Sequence, residues 1–204
     1  MSSIRVQASY ILWGPTRSDL LSKGGDDLQL KVWDIRQGFD QPTTTNKRCV
    51  AYDACLWPLI YRVSRFDAGV TCIQSHPNIE HLIAVGSYDA TVRLFDSRRP
   101  IKPLAQAEVG GGAWRVKWHP SPSRNHDLLV AAMHDGFKIV GFHDILHQTW
   151  SPSDANSGEI IKRHDDHDSL AYGVDWSHNR QDQPGQTLIA SASFYDHALH
   201  LWRG

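Results

Sequence analysis

Gly86-Ser87-Tyr88-Asp89-Ala90-Thr91-Val92-Arg93-Leu94-Phe95-Asp96-Ser97-Arg98 is the stretch on which the fold turns. A turn of small residues and Asp leads into an alternating run that ends in an aromatic-Asp pair. Val92 and Leu94 fall on one face of the run, with Thr91, Arg93 and Phe95 on the other, the period-two pattern expected of a half-buried strand. Asp89 supplies the local hydrogen-bond acceptor that a tight connection needs. The arrangement returns at fixed offsets: Asp27 stands six positions before Trp33, Asp89 six before Phe95 and Asp196 six before Trp202. A fourth copy, Met133-His134-Asp135-Gly136 through Phe142, is degenerate, with its aromatic one position late.

Spacings of roughly 45 to 60 residues between these units match repeats in which each copy is one four-stranded blade. The expectation is therefore an all-β WD-repeat propeller with about four blades, from repeats at approximately 8–36, 66–98, 112–144 and 166–204. Each turn is preceded by a strand and, before that, by a segment ending in a His-Pro-like corner: Ala68–Pro77 with His81–Val85, Gly110–Pro120 with Leu128–Ala132, and Asp168–Trp176 with Leu188–Ser191. Leu104–Val109 and Glu159–Lys162 read as outer fourth strands. The first blade, around Tyr10–Pro15 and Leu20–Ser22, reads as poorly formed. Ring closure would require an outer strand from Ile4-Arg5-Val6-Gln7, so the chain reads as the C-terminal part of a larger ring. Residues 49–64, apolar and without period, read as a non-blade insert.

Hydrophobic residues make up 41% of the 204 positions, enough for a sizeable core, and no run is long enough to span a bilayer. The formal net charge of −1 and the lack of a basic cluster argue against a nucleic-acid partner. The three cysteines, Cys49, Cys55 and Cys72, contain no Cys-x-x-Cys, so they suggest neither a disulfide framework nor a zinc site. The first nine residues lack a secretory layout, and a cytoplasmic location is expected.

Four stretches carry a closer likeness: Gly111–Pro120, Met133–Lys138, Asp168–Trp176 and Ser193–Trp202. They resemble the WD-repeat diphthine methyl ester hydrolases of diphthamide biosynthesis, over about Gly24 to Gly204. The resemblance implies removal of the methyl ester from methylated diphthine, the modified histidine of translation elongation factor 2, so that a later step can amidate the freed carboxylate. No cofactor and no metal site is expected. The chain departs from the family in lacking its N-terminal blades and in carrying Cys49–Ser64 between Lys47-Arg48 and Arg65-Phe66, which reads as a translated intron.

Ester hydrolysis needs an activated nucleophile or water, a base and oxyanion donors. No Gly-x-Ser-x-Gly elbow is present, which excludes the common esterase arrangement. Propeller topology should gather His134, Asp168, Ser169, Tyr195 and His197 at one mouth of the channel, with Tyr88 nearby. His134 and His197 are the candidate bases, having no standard structural role at a turn. Asp168 would orient a histidine or attract a cationic substrate, against a plain surface-loop role, and Ser169 is a weaker candidate nucleophile. Tyr88, Tyr172 and Tyr195 are candidate substrate-binding residues, because aromatic faces can surround the trimethylammonium group of diphthine. Ordinary rim packing is the competing reading. His167, four residues before Ala171, is expected to hydrogen-bond within its blade, and Asp27, Asp89 and Asp196 to serve their turns. The run His164-Asp165-Asp166-His167-Asp168 offers metal-ligand types, but a single loop supplies no independent third side. The competing function is a non-catalytic propeller scaffold for protein–protein interaction.

Overall fold

The structure, a computed structural model, describes residues 8–13, 20–25, 28, 30–34, 59–63, 66–97, 102–143, 157–178 and 185–204. Among them, fifteen strands form four antiparallel sheets in chain order. Blade one contains β1 (Ala8–Trp13), β2 (Leu20–Gly25), β3 (Leu30–Asp34) and β4 (Leu59–Val63). Blade two contains β5 (Val70–Ser75), β6 (Leu82–Ser87), β7 (Thr91–Asp96) and β8 (Ala105–Glu108). Blade three contains β9 (Arg115–Trp118), β10 (Asp127–Ala131), β11 (Phe137–Gly141) and β12 (Glu159–His164). Blade four has three strands, β13 (Ala171–Trp176), β14 (Leu188–Ser193) and β15 (Leu199–Arg203). Among the described residues, the innermost strands of blades one, two and three pack on blades two, three and four in turn.

The quoted stretch forms the hairpin β6–β7, in register Gly86↔Val92 and Ala84↔Leu94. Its strand differs from the sequence expectation in one respect: β7 is buried on both faces. Val92 and Leu94 join a core cluster with Val116, Leu128, Val130 and Val140 of blade three, and Phe95 joins a second with Phe66, Val70 and Ile83. A strand inside a propeller is covered by blades on either side, so alternation there separates two interfaces rather than core from solvent. Arg93 is tolerated in this setting because its guanidinium pairs with Asp89 at 3.0 Å and lies 4.6 Å from the centre of the Phe66 ring. A third cluster, Leu129, Phe137 and Ile139 against Val174, Trp176 and Ile189, joins blades three and four.

A repeated latch adds polar specificity to these joints. After β5, His76 Nδ1 accepts hydrogen bonds from the Asn78 and Ile79 amides, while Nε2 donates to the Asn125 carbonyl of blade three at 2.6 Å. After β9, His119 Nδ1 accepts from the Ser121 amide and Nε2 lies 2.8 Å from Thr187 Oγ1 of blade four. Each imidazole also leans on a tryptophan of the following blade, Trp118 or Trp176, with 4.6 Å between ring centres. The His-Pro corners of the sequence are thus inter-blade joints.

The segment read as a non-blade insert is corrected at its end. Leu59–Val63 is β4, paired with β3 through Leu30↔Val63 and Val32↔Tyr61. The sequence hides the strand because Leu59, Ile60 and Tyr61 are apolar in succession, so the period-two alternation that marks the other strands is missing there. Residues 49–58, like Ile4–Gln7, lie outside the described residues. The first blade, expected to be poorly formed, has four paired strands. The degenerate fourth copy is explained by register. The pair Ala131↔Phe137 corresponds to Gly86↔Val92, which puts His134 at the place of Asp89 and Val140 at that of Phe95.

Candidate functional site

A cleft of about 800 Å³ opens between blades three and four. Its walls are the β10–β11 turn with Met133, His134 and Asp135, Arg163 on β12, the β12–β13 connection from Asp165 to Leu170, and the β14–β15 turn with Tyr195 and Asp196. Four carboxylates, those of Asp135, Asp165, Asp168 and Asp196, line it; Asp135 pairs with Arg163 and the buried Lys138, and Asp165 with Arg163, which leaves Asp168 and Asp196 at the Tyr195 end. The cleft is therefore suited to a cationic group.

Asp135 is fixed from below. Lys138 is fully buried and donates to Asp135 Oδ2 at 2.7 Å, to the Asp135 carbonyl, and to the Val109 carbonyl at 2.7 Å, while Arg163 donates to Asp135 Oδ1 at 2.7 Å. Burial works to raise the Asp135 carboxyl, but the hydrogen bonds from Lys138 and Arg163 outweigh it and hold the group below the usual carboxylate range. Burial pushes the Lys138 ammonium down. Gly110, at φ +78°, makes the arrangement possible: a Cβ there would lie 1.9 Å from Asp135 Oδ2.

The opposite wall is tied to the blade by His167. Its Nδ1 lies 2.6 Å from Ser193 Oγ and its Nε2 2.9 Å from Ser191 Oγ, to which Trp202 Nε1 also donates at 3.2 Å. Asp196 accepts from the Ser193 hydroxyl and from the Ala198 amide, and its Oδ2 is 3.8 Å from His167 Nδ1. The Ser193 bond chiefly holds the Asp196 carboxyl below its ordinary range. His167 is thus engaged within its blade, as its sequence position suggests.

The cleft brings together His134, Asp168, Ser169 and Tyr195. His134 and Asp168 are exposed, and Ser169 Oγ accepts the Tyr195 amide at 3.0 Å, a bond that links the β12–β13 connection to the last turn. His197 lies on the same end of the molecule but outside the cleft lining, exposed, at φ +52°. Leu28 and Ala90 hold the corresponding places of their turns at φ +59° and +63°, so the position requires a left-handed backbone rather than an imidazole. Tyr88 and Tyr172 also lie outside the lining, in a row of rings that reaches Tyr195 through Phe194. Sequence reading missed Asp135 and Arg163, whose pairing joins residues 28 positions apart.

The third side that the His164–Asp168 run lacked is supplied by β15. His200 Nδ1 approaches His164 Nε2 at 3.2 Å, and donor atoms of His164, His167 and His200 lie within 4.8 Å of one another. Imidazoles of this kind suit a borderline transition metal. Both His167 nitrogens are already occupied by serine hydroxyls, however, and its ring stacks face to face on His200 at 3.8 Å. An ion would have to displace one of those bonds. Burial lowers the pKa of His164 and His167, and the neighbouring His200 adds to the effect.

These features define the chain as a WD-repeat β-propeller protein. The family described as WD domain, G-beta repeat matches residues 59–96, from the outer strand of blade one to the end of β7, so the sequence repeat is offset from the blade by one strand. A chain in the crystal structure of a mitotic checkpoint complex superposes with a TM-score of 0.67 over 97% of this chain and 49% of that one, at 14% identity.

Among relatives, the chain is 36% identical to the diphthine methyltransferase homolog of Dictyostelium discoideum, over 90% of this chain and 46% of that protein. It is 35% identical to the diphthine methyltransferase of Homo sapiens, over 83% of this chain and 31% of that protein. The chain thus spans less than half the length of these relatives.

Proposed function

We propose that this chain is part of a cytoplasmic enzyme that hydrolyses the methyl ester of methylated diphthine on translation elongation factor 2. The observation that carries the reading is the acidic cleft in which His134, Asp168 and Ser169 converge from two blades. Its negative lining suits the trimethylammonium of diphthine, and the relatives' names support action on a methyl group of diphthine. In this scheme His134 takes a proton from water as the water oxygen attacks the ester carbonyl. The methoxy oxygen then leaves with a proton as methanol, and the carboxylate remains on the substrate. Asp168 attracts the ammonium. Ser169 donates its hydroxyl proton to the developing oxyanion while its oxygen keeps the Tyr195 amide.

A scaffold role is favoured by one feature: His134 is an exposed turn residue, and Ser169 Oγ is engaged by the Tyr195 amide. The test incubates the full-length protein with elongation factor 2 carrying methylated diphthine and follows the ester by mass spectrometry. Loss of one methyl group with release of methanol is expected, and His134→Gln should slow it by roughly 100-fold or more. Retained ester with retained binding would establish the scaffold instead. Gain of a methyl group from an added donor would establish transfer, the reaction in the relatives' names.

A further inference from the structure

Beside the cleft, aromatic rings form a continuous row across three blades. Tyr88 of the β6–β7 turn lies 5.8 Å, centre to centre, from Trp114 at the start of blade three, Trp114 lies 4.9 Å from Tyr172 of β13, and Tyr172 lies 5.5 Å from Phe194. Phe194 is 4.9 Å from Tyr195, which already lines the cleft. The outer members are open to solvent, with Tyr88 at 40%, Phe194 at 58% and Tyr195 at 70% exposure. Contiguous exposed aromatics on a folded domain mark a contact surface.

The turn chemistry does not require them. Blade two closes its hairpin with Tyr88 alone between Ser87 and Asp89, whereas blade four places both Phe194 and Tyr195 between Ser193 and Asp196. In both turns the aspartate accepts the amide two residues on, Thr91 or Ala198, so the additional residue of blade four adds ring surface and the Tyr195 amide bond to Ser169. Gly112 fits the same purpose: a Cβ there would come within 3.2 Å of the Tyr88 ring and 3.1 Å of Met133 Sδ, so its absence lets that ring lie against the backbone beside Trp114.

We propose that this row and the acidic cleft together bind an extended polypeptide segment bearing a fixed positive charge, with Trp114 as the central anchor. The three steps from Tyr88 to Phe194 match about five residues of extended chain at ~3.3 Å each. Aromatic faces take up apolar and cationic side chains alike, and the carboxylates at the Tyr195 end accept the charge. The surface serves the hydrolytic reading by holding the backbone around a modified side chain, but binding does not depend on any bond being broken.

The probe is a pair of labelled synthetic peptides of about seven residues with leucines flanking the centre. One has trimethyllysine at the centre and the other norleucine. Both are titrated by fluorescence anisotropy onto the full-length protein. The trimethyllysine peptide should bind about tenfold more tightly. Trp114→Ala should weaken both peptides about tenfold, whereas Asp168→Asn should weaken only the charged one. Phe194→Ala, at an exposed position that leaves the core intact, should weaken both peptides and covers the case in which Trp114→Ala fails to fold. The proposal is overturned if neither peptide binds, if folded Trp114→Ala and Phe194→Ala bind as the parent does, or if Asp168→Asn weakens both peptides equally. Ester cleavage is not read, so its absence would count only against the hydrolytic reading.

Discussion

Blades two and four carry the same hairpin in different surroundings. Ser87, Asp89 and Ala90 correspond by register to Ser193, Asp196 and His197, and Val92 and Leu94 to Leu199 and Leu201. In blade two, both aliphatic side chains are fully buried by blade three. In blade four, their counterparts are 68% and 65% exposed. An identical local pattern thus has opposite fates, because burial is conferred by the neighbouring blade rather than by the hairpin. The turn carboxylates differ in the same way: Asp89 pairs with an arginine at 3.0 Å, Asp196 with a histidine at 3.8 Å.

The largest effect expected of this contrast is at the aliphatic positions. Leu94→Ala should destabilise the fold by ~3 kcal/mol in urea titration, through lost burial and a cavity. Leu201→Ala should stay within about 0.5 kcal/mol. An equal cost at both sites would mean that something covers the outer face of blade four in solution.

Asp89→Ala should come next, at ~2–3 kcal/mol, because it removes the carboxylate that neutralises the nearly buried Arg93. Asp196→Ala should lower the urea midpoint by less than half as much, since its partners are less deeply placed.

A smaller, pH-dependent difference follows from the histidines. The folded pKa values of His164 and His167 are lowered, so near pH 7.5 both groups are neutral whether the chain is folded or not. As pH falls through 6.5 the unfolded chain takes up protons that the fold resists, and stability declines. The groups around the pair are His200, Asp166, Asp165, Lys162 and Asp196, of which the carboxylates moderate the effect and His200 strengthens it. The urea midpoint should therefore drop between pH 7.5 and 5.5, and His200→Ala should shrink that drop.

The smallest effect is expected at His197→Gly. It should leave stability unchanged or raise it by up to ~1 kcal/mol, because glycine adopts a positive φ without cost. Lost ester cleavage in a stable His197→Gly protein would give that imidazole a chemical role that the turn geometry does not explain.

The hairpins and outer strands were legible because turn residues and period-two runs are local signals. The three matched offsets and the degenerate fourth copy placed the blades, and Leu104–Val109 and Glu159–Lys162 became β8 and β12. β4 was illegible because Leu59, Ile60 and Tyr61 are apolar in succession, and a strand without alternation resembles any other apolar segment. The convergence of His134, Asp168, Ser169 and Tyr195 could be anticipated from topology. The Asp135–Arg163 pair, the approach of His200 and the row through Trp114 and Phe194 could not be, since each depends on the rotation between neighbouring blades.

The corner histidines all reach forward along the chain, His76 to Asn125 and His119 to Thr187. During synthesis on a ribosome, each blade would hold its corner open until its successor emerged to accept the bond. Completion of blades two and three is thereby deferred by one unit, and these two joints acquire the direction of translation.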